Sequence, residues 1–143
     1  MTRGINSGTM LTCQNGYVAP AGKKGRGVFA RKKLKTSEVV EVSPYIHLPR
    51  RDGKTLTQTM INSYWFDLEN QSAAIGLGHT SMYNHSQTPN AEFSINRKRR
   101  TITIKTLKAI QPDEEITISY GYELELPKKQ KSQPKNRSKS KLK

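Results

Sequence analysis

Hydrophobic and polar residues alternate most regularly in Glu92-Phe93-Ser94-Ile95 and Thr101-Ile102-Thr103-Ile104, which flank Asn96-Arg97-Lys98-Arg99-Arg100. A period of two turns one face of each stretch to a core, so the segment predicts a β-hairpin with a basic tip. The alternation returns in Ile116-Thr117-Ile118-Ser119-Tyr120, after the turn residues Gln111-Pro112-Asp113-Glu114. Upstream, Val28-Phe29-Ala30 reads as a strand. A Lys-Thr-Ser turn separates it from a longer strand that begins Val39-Val40-Glu41-Val42 and runs to Tyr45-Ile46-His47-Leu48. Residues 49–53 read as a basic loop, and residues 57–68 as a short helix carrying Tyr64, Trp65 and Phe66. A short apolar run at 73–77 leads into the polar stretch 79–90, long for a loop in a small domain; such loops are often functional. Short strands joined by Pro and Gly turns make the fold class mostly β.

The pattern fades at both ends. The first fourteen residues are polar and glycine-containing and read as a flexible lead-in. Residues 127–143 hold eight Lys/Arg, no acid, and Leu142 as their one apolar residue, a composition that cannot offset chain entropy by burial. One globular domain over residues 15–126 with a disordered basic tail is therefore expected. With 25 Lys+Arg against 11 Asp+Glu the chain carries +14, of which the tail supplies +8.

Several kinds of chemistry find no support. No apolar run is long enough to span a membrane, and the N-terminus lacks the apolar segment of a secretory signal, so an intracellular protein is expected. One cysteine, Cys13, beside His47, His79 and His85 cannot build a zinc cluster of usual spacing, and no metal is expected. There is no phosphate-binding glycine loop and no serine in a nucleophile elbow. Glu114 and Glu115 are adjacent in an alternating strand and face opposite ways, so they read as a turn and a strand entry, not as a catalytic pair. Taken alone, Asn84-His85-Ser86 is either a sugar-acceptor tripeptide without a secretion signal or a loop satisfying its own backbone.

Three blocks taken jointly change that weighting. Gly25-Arg26-Gly27-Val28-Phe29 is followed by Gly76-Leu77-Gly78 leading into Tyr83-Asn84-His85-Ser86 and Pro89-Asn90. Last comes Asp113-Glu114-Glu115-Ile116-Thr117-Ile118-Ser119-Tyr120-Gly121-Tyr122. In order and spacing these blocks resemble the SET-domain protein-lysine methyltransferases, over roughly residues 15–126. The resemblance implies small β-sheets with a C-terminal pseudoknot, in which the last segment passes beneath the loop bearing the Asn-His-Ser block. It also implies S-adenosylmethionine as cofactor and protein lysine as substrate. The cysteine-rich zinc segment that follows many SET domains has no counterpart, since no cysteine follows Tyr122. In this the chain resembles compact viral and bacterial members, where other residues or a second subunit complete the lysine channel; a homodimer is compatible with that.

By the same resemblance, Gly25, Arg26 and Gly27 form the turn that meets the cofactor, since glycines let backbone groups approach a ligand closely. Asn84 offers its amide to the methionine part, and His85 is a positioning residue whose backbone meets the adenine. Tyr120 falls on the active-site tyrosine, orienting the amine or supporting the polarised methyl group beside the cofactor. Tyr64, Phe93 and Tyr122 are candidate walls of the lysine channel, with plain core packing as the alternative. Methyl transfer to lysine needs a neutral amine, and on the order of one free lysine in a thousand is neutral at pH 7. A desolvated channel beside a sulfonium raises that fraction, so alignment and desolvation carry the task without a dedicated base.

The basic segments add a partner. The tail, from Lys128 to Lys143, and the hairpin tip, from Arg97 to Arg100, suit salt-sensitive attachment to nucleic acid, although a solvated surface is the alternative for the tip. Histones or other DNA-packaging proteins are then the expected substrates. Localisation on DNA or nucleoprotein follows: in the nucleus for a eukaryotic or viral-host setting, in the cytoplasm for a bacterial one. A non-catalytic chromatin- or nucleic-acid-binding module on a SET scaffold is the other reading.

Overall fold

The structure is a computed structural model that describes residues 14–121. The lead-in up to Cys13, Tyr122 and the tail from Lys128 to Lys143 lie outside the described residues. Two sheets are built from strands β1 (Gly16–Pro20), β2 (Arg26–Ala30), β3 (Val39–Leu48), β4 (Trp65–Asp67), β5 (Ala73–Gly76), β6 (Asn84–His85), β7 (Ala91–Asn96), β8 (Thr101–Thr106) and β9 (Glu115–Ile118). One sheet has the order β1-β2-β9-β6 and the other β4-β5-β3-β8-β7. The mostly-β reading holds.

The expected hairpin is β7 and β8, paired from Ala91↔Thr106 to Asn96↔Thr101. Its inward residues Ile102 and Ile104 are fully buried, as are Val28, Leu34, Ile110, Ile116 and Ile118. Each such side chain contributes about 1.5–3 kcal/mol of burial free energy. Leu34 and Ile110 exchange backbone hydrogen bonds of 2.9 and 3.0 Å, tying the segment after β2 to the segment before β9.

Two sequence expectations are corrected. Residues 50–53, read as a basic loop, belong with the next three residues to the single α-helix α1 (Arg50–Leu56) among the described residues. Pro49 stands in extended conformation at its N-cap, Asp52 places an acid in its first turn, and Gly53 is buried against the chain near Gln71. Residues 57–68 are not a helix: a short 3₁₀ turn over Met60–Ser63 leads into β4. Phe66 is buried within β4, whereas Tyr64, which ends the 3₁₀ turn just before the strand, is 42% exposed. Strand β1, to which no sequence pattern pointed, pairs antiparallel with β2 from Gly16↔Ala30 to Pro20↔Arg26.

Strand β9 lies between β2 and β6, antiparallel to the first and parallel to the second. The loop that starts at β6 holds it from both ends. Ser86 N–H donates to the Ile118 carbonyl at 3.0 Å. Further along the loop, the Asn90 side chain accepts from Thr117 N–H at 2.8 Å and donates to the Glu115 carbonyl at 2.8 Å. This is the expected pseudoknot, fastened by one buried asparagine.

Candidate active site

Tyr120 follows β9 directly, so the pseudoknot fixes its position. Its backbone N–H donates to His85 Nδ1 at 3.0 Å, and the two rings lie 5.2 Å apart. Because Nδ1 accepts, the neutral His85 carries its proton on Nε2. The Tyr120 hydroxyl donates to the Tyr83 carbonyl at 2.5 Å. His85 and Tyr83 therefore aim Tyr120 from its two ends, and 38% of its surface stays exposed.

The glycine turn meets Asn84 from the other side. Gly25 has a φ of +82°, a conformation that side chains disfavour, and a Cβ there would project into open space. Gly27 serves a different purpose: a Cβ there would lie 2.6 Å from Glu115 Oε1 and 2.7 Å from Asn84 Nδ2. Asn84 Nδ2 fills that gap, donating to the Arg26 carbonyl at 3.0 Å and to Glu115 Oε1 at 2.7 Å. Both amide protons are thus spent on the protein, which leaves Oδ1 as the atom of Asn84 able to meet a ligand. Glu115 Oε2 also pairs with Lys24 at 3.6 Å.

Two cavities meet at Tyr120. One, of about 140 Å³, is walled by the aromatic rings of Tyr64, Trp65, Phe66, Tyr83, Phe93 and Tyr120. The other, of about 370 Å³, is lined by Lys24, Gly25, Arg26, Met82 and Asn84 and likewise reaches Tyr120. Ser63, Tyr64, Ser81 and Tyr120 line both, so they form the partition where contents of the two cavities would touch. A narrow aromatic cavity suits an alkyl-ammonium side chain. The wider one, with its open glycine turn and polar rim, suits a larger polar molecule. The fold is matched by known proteins.

The SET-domain family model matches residues 25–121. The chain belongs to the SET-domain family. It is 32% identical over 100 residues to a Schizosaccharomyces pombe histone-lysine N-methyltransferase, H3 lysine-37 specific, the match covering 69% of this chain and 68% of that protein. Its fold matches the crystal structure of a candidate histone methyltransferase of Plasmodium falciparum, with a TM-score of 0.63 and 27% identity, over 77% of this chain and 96% of that one. The enzymatic class, protein-lysine N-methyltransferase, follows from the family and the curated relative together.

Within this SET domain the predicted residues Gly25, Arg26, Asn84 and Tyr120 line one cavity, and Tyr64, Phe93 and Tyr120 the other. Gly27 and His85 stand behind them, the first as packing space and the second as a brace for Tyr120. Phe93 lines the narrow cavity and packs edge-on against Phe66, with ring centroids 4.9 Å apart. Tyr122 lies outside the described residues. Among the described residues no three His, Cys, Asp or Glu side chains are grouped to hold a metal ion.

Glu41 carries a part that the sequence reading did not give it. A register shift between Val39 and Glu41 in the pairing of β3 with β8 turns both Val40 and Glu41 inward. The fully buried carboxylate accepts from Ser43 Oγ, from His79 N–H at 2.8 Å and from the Tyr83 hydroxyl at 2.9 Å. Gly78, at φ +66°, makes room for it, since a Cβ there would sit 2.5 Å from Glu41 Oε1. The carboxylate therefore fixes the segment that presents the Tyr83 carbonyl to Tyr120.

Proposed function

We propose that this SET domain transfers methyl groups from S-adenosylmethionine to lysine side chains of a basic, histone-like protein. The observation that supports the reading is the pair of cavities sharing a partition at Tyr120. The larger cavity fits the cofactor: Gly25 leaves open space beside its backbone, the Asn84 Oδ1 is available to an ammonium, and the cavity ends at the tyrosine. When bound, S-adenosylmethionine supplies a methyl group on a positive sulfur. The chain's own residues do the rest. Tyr64, Phe93 and Tyr120 strip water from the lysine stem and head, which favours the neutral amine. Tyr120 is the catalytic residue, its hydroxyl held at the partition by the Tyr83 carbonyl. Alignment of amine and methyl carbon is the largest gain available, and no side chain is needed to accept a proton during transfer.

Phe93 bears on how many methyl groups are added. A tyrosine in its place would offer a hydroxyl to hold the amine or a water and restrict an already methylated nitrogen; phenylalanine leaves that space apolar. Di- or trimethyllysine is the product this favours. Tyr122 remains a proposed wall of the channel, and a second copy of the chain is a proposed means of closing its outer side.

Histone-like substrates and placement at chromatin rest on the yeast relative and on the net charge of +14. Nucleic-acid attachment through Lys128 to Lys143 and the tip Arg97 to Arg100 belongs to the same reading. No helix among the described residues is long and apolar enough to cross a membrane. Incubation with methyl-labelled cofactor and a panel of histones, ribosomal proteins and other basic proteins, followed by mass spectrometry, tests the proposal. Label on a histone lysine is expected; label confined to non-histone proteins would overturn the substrate assignment, and no label at all the transfer itself.

A further inference from the structure

Three of the surface depressions of this domain form one path. The narrow aromatic cavity shares Trp65 and Asp67 with a groove along α1 that Arg50 and Lys54 line. That groove shares Leu68 and Ser72 with a third depression, lined by Tyr45, His47, Arg97 and Arg100. The mouth of the narrow cavity therefore continues into a cationic trough built from β3, α1 and the β7–β8 hairpin. Its walls are anchored. The Tyr45 N–H donates to the Arg100 carbonyl at 3.0 Å, and the Arg99 N–H is held by Asn96 Oδ1 at 2.9 Å. Arg97 is fastened to Glu69 at 2.8 Å, which links the hairpin to the segment beside α1.

We propose that this trough takes the phosphate backbone of duplex DNA, so that the enzyme acts on lysines carried close to a duplex. The inference rests on the reading of the narrow cavity as the lysine channel. Lysine-rich substrates are themselves cationic and would be repelled by Arg50, Lys54 and Arg100, so the trough is matched to something other than the peptide. Four cations spread over α1 and the hairpin turn suit repeated phosphates, whereas an acidic peptide needs only one or two. No broadly exposed aromatic plane lies along the third depression, where Tyr45 is buried, so base stacking on single strands is not what it offers. Phosphate contacts fix position without reading sequence.

The test uses the full chain. Binding of a labelled 30-base-pair duplex is followed by fluorescence anisotropy across a salt series for the parent, for the Arg97→Gln/Arg100→Gln double variant, and for Lys33→Gln/Lys35→Gln as a charge-matched control. Each lost phosphate contact removes about 0.9 from the slope of log affinity against log salt, so the trough variant should lose up to about 1.8. The control should change little. In parallel, kcat/KM is measured on one lysine peptide, free and tethered to the duplex; the advantage of the tethered form should collapse in the trough variant only. Equal slope losses in both variants, or none in the trough variant, would overturn the proposal. So would displacement of the duplex by a polyglutamate peptide at equal charge concentration, which would make the trough an acidic-peptide site. Anisotropy does not depend on methylation, so a chain that binds as described yet methylates nothing would count against the lysine-channel reading alone.

Discussion

Replacing Glu41 with leucine or with glutamine should have sharply different consequences. Leucine matches the carboxylate roughly in volume but accepts no hydrogen bond, which orphans the Ser43 hydroxyl, the His79 N–H and the Tyr83 hydroxyl in a site that excludes water. Each stranded buried donor costs about 1–3 kcal/mol, so Glu41→Leu should cost about 4 kcal/mol. Glutamine can place its carbonyl where the Ser43 hydroxyl and the His79 N–H converge and turn its amide towards Tyr83, whose hydroxyl accepts as readily as it donates. Only the charge assistance is lost, and Glu41→Gln should cost about 1 kcal/mol. Against a total stability of about 5–15 kcal/mol the first change threatens folding and the second does not. Urea denaturation of both variants, with the slope checked for constancy, reads the difference. Glu41→Gln should in addition keep kcat within a few-fold, because the segment that presents the Tyr83 carbonyl to Tyr120 keeps its anchor. If the leucine variant is as stable as the glutamine variant to within about 1 kcal/mol, the carboxylate is not the anchor described above.

Further outcomes follow from the site. Tyr120→Phe removes the hydroxyl at the partition and should lower kcat about a hundredfold, with cofactor affinity held within a few-fold in calorimetry. Asn84→Ala breaks the links to Arg26 and Glu115 and should weaken cofactor binding at least about tenfold, about 1.4 kcal/mol, in the same titration. Phe93→Tyr should shift products towards monomethyllysine in time-resolved mass spectrometry, where about 1.4 kcal/mol in barrier suffices for a tenfold change in ratio. Should it instead lower the melting temperature with products unchanged, the new hydroxyl is buried against Phe66 and the channel role is refuted. Gly27→Ala should cost stability and cofactor affinity together, since its Cβ meets both Glu115 and Asn84.

What could be read from the sequence depended on how local the determinant was. The hairpin 92–104 was legible because its period of two runs unbroken through Phe93, Ile95, Ile102 and Ile104. Residues 50–53 misled because charges and Gly53 resemble a loop; their helicity rests on Pro49 ahead of them and on Gly53 packing against the segment near Gln71. The aromatic triplet 64–66 gave no decisive period, and pairing with β5, a partner distant in sequence, made it a strand. Glu41 was hidden by the irregularity at Val40, which reverses the side on which an alternating strand would place an acid. Asn84, His85 and Tyr120 were found through family resemblance. Their convergence depends on threading β9 between β2 and β6, which no local pattern encodes.

The central claim is that cofactor and lysine enter from separate cavities and meet at Tyr120. A crystal structure of the full chain with S-adenosylhomocysteine and a lysine peptide tests it most directly. The thioether sulfur should lie in the cavity of Gly25, Arg26 and Asn84, and the lysine nitrogen in the cavity of Phe93 and Tyr64, each beside the Tyr120 hydroxyl. Both molecules on the same side of Tyr120, or a lysine reaching the sulfur without passing Phe93, would contradict it.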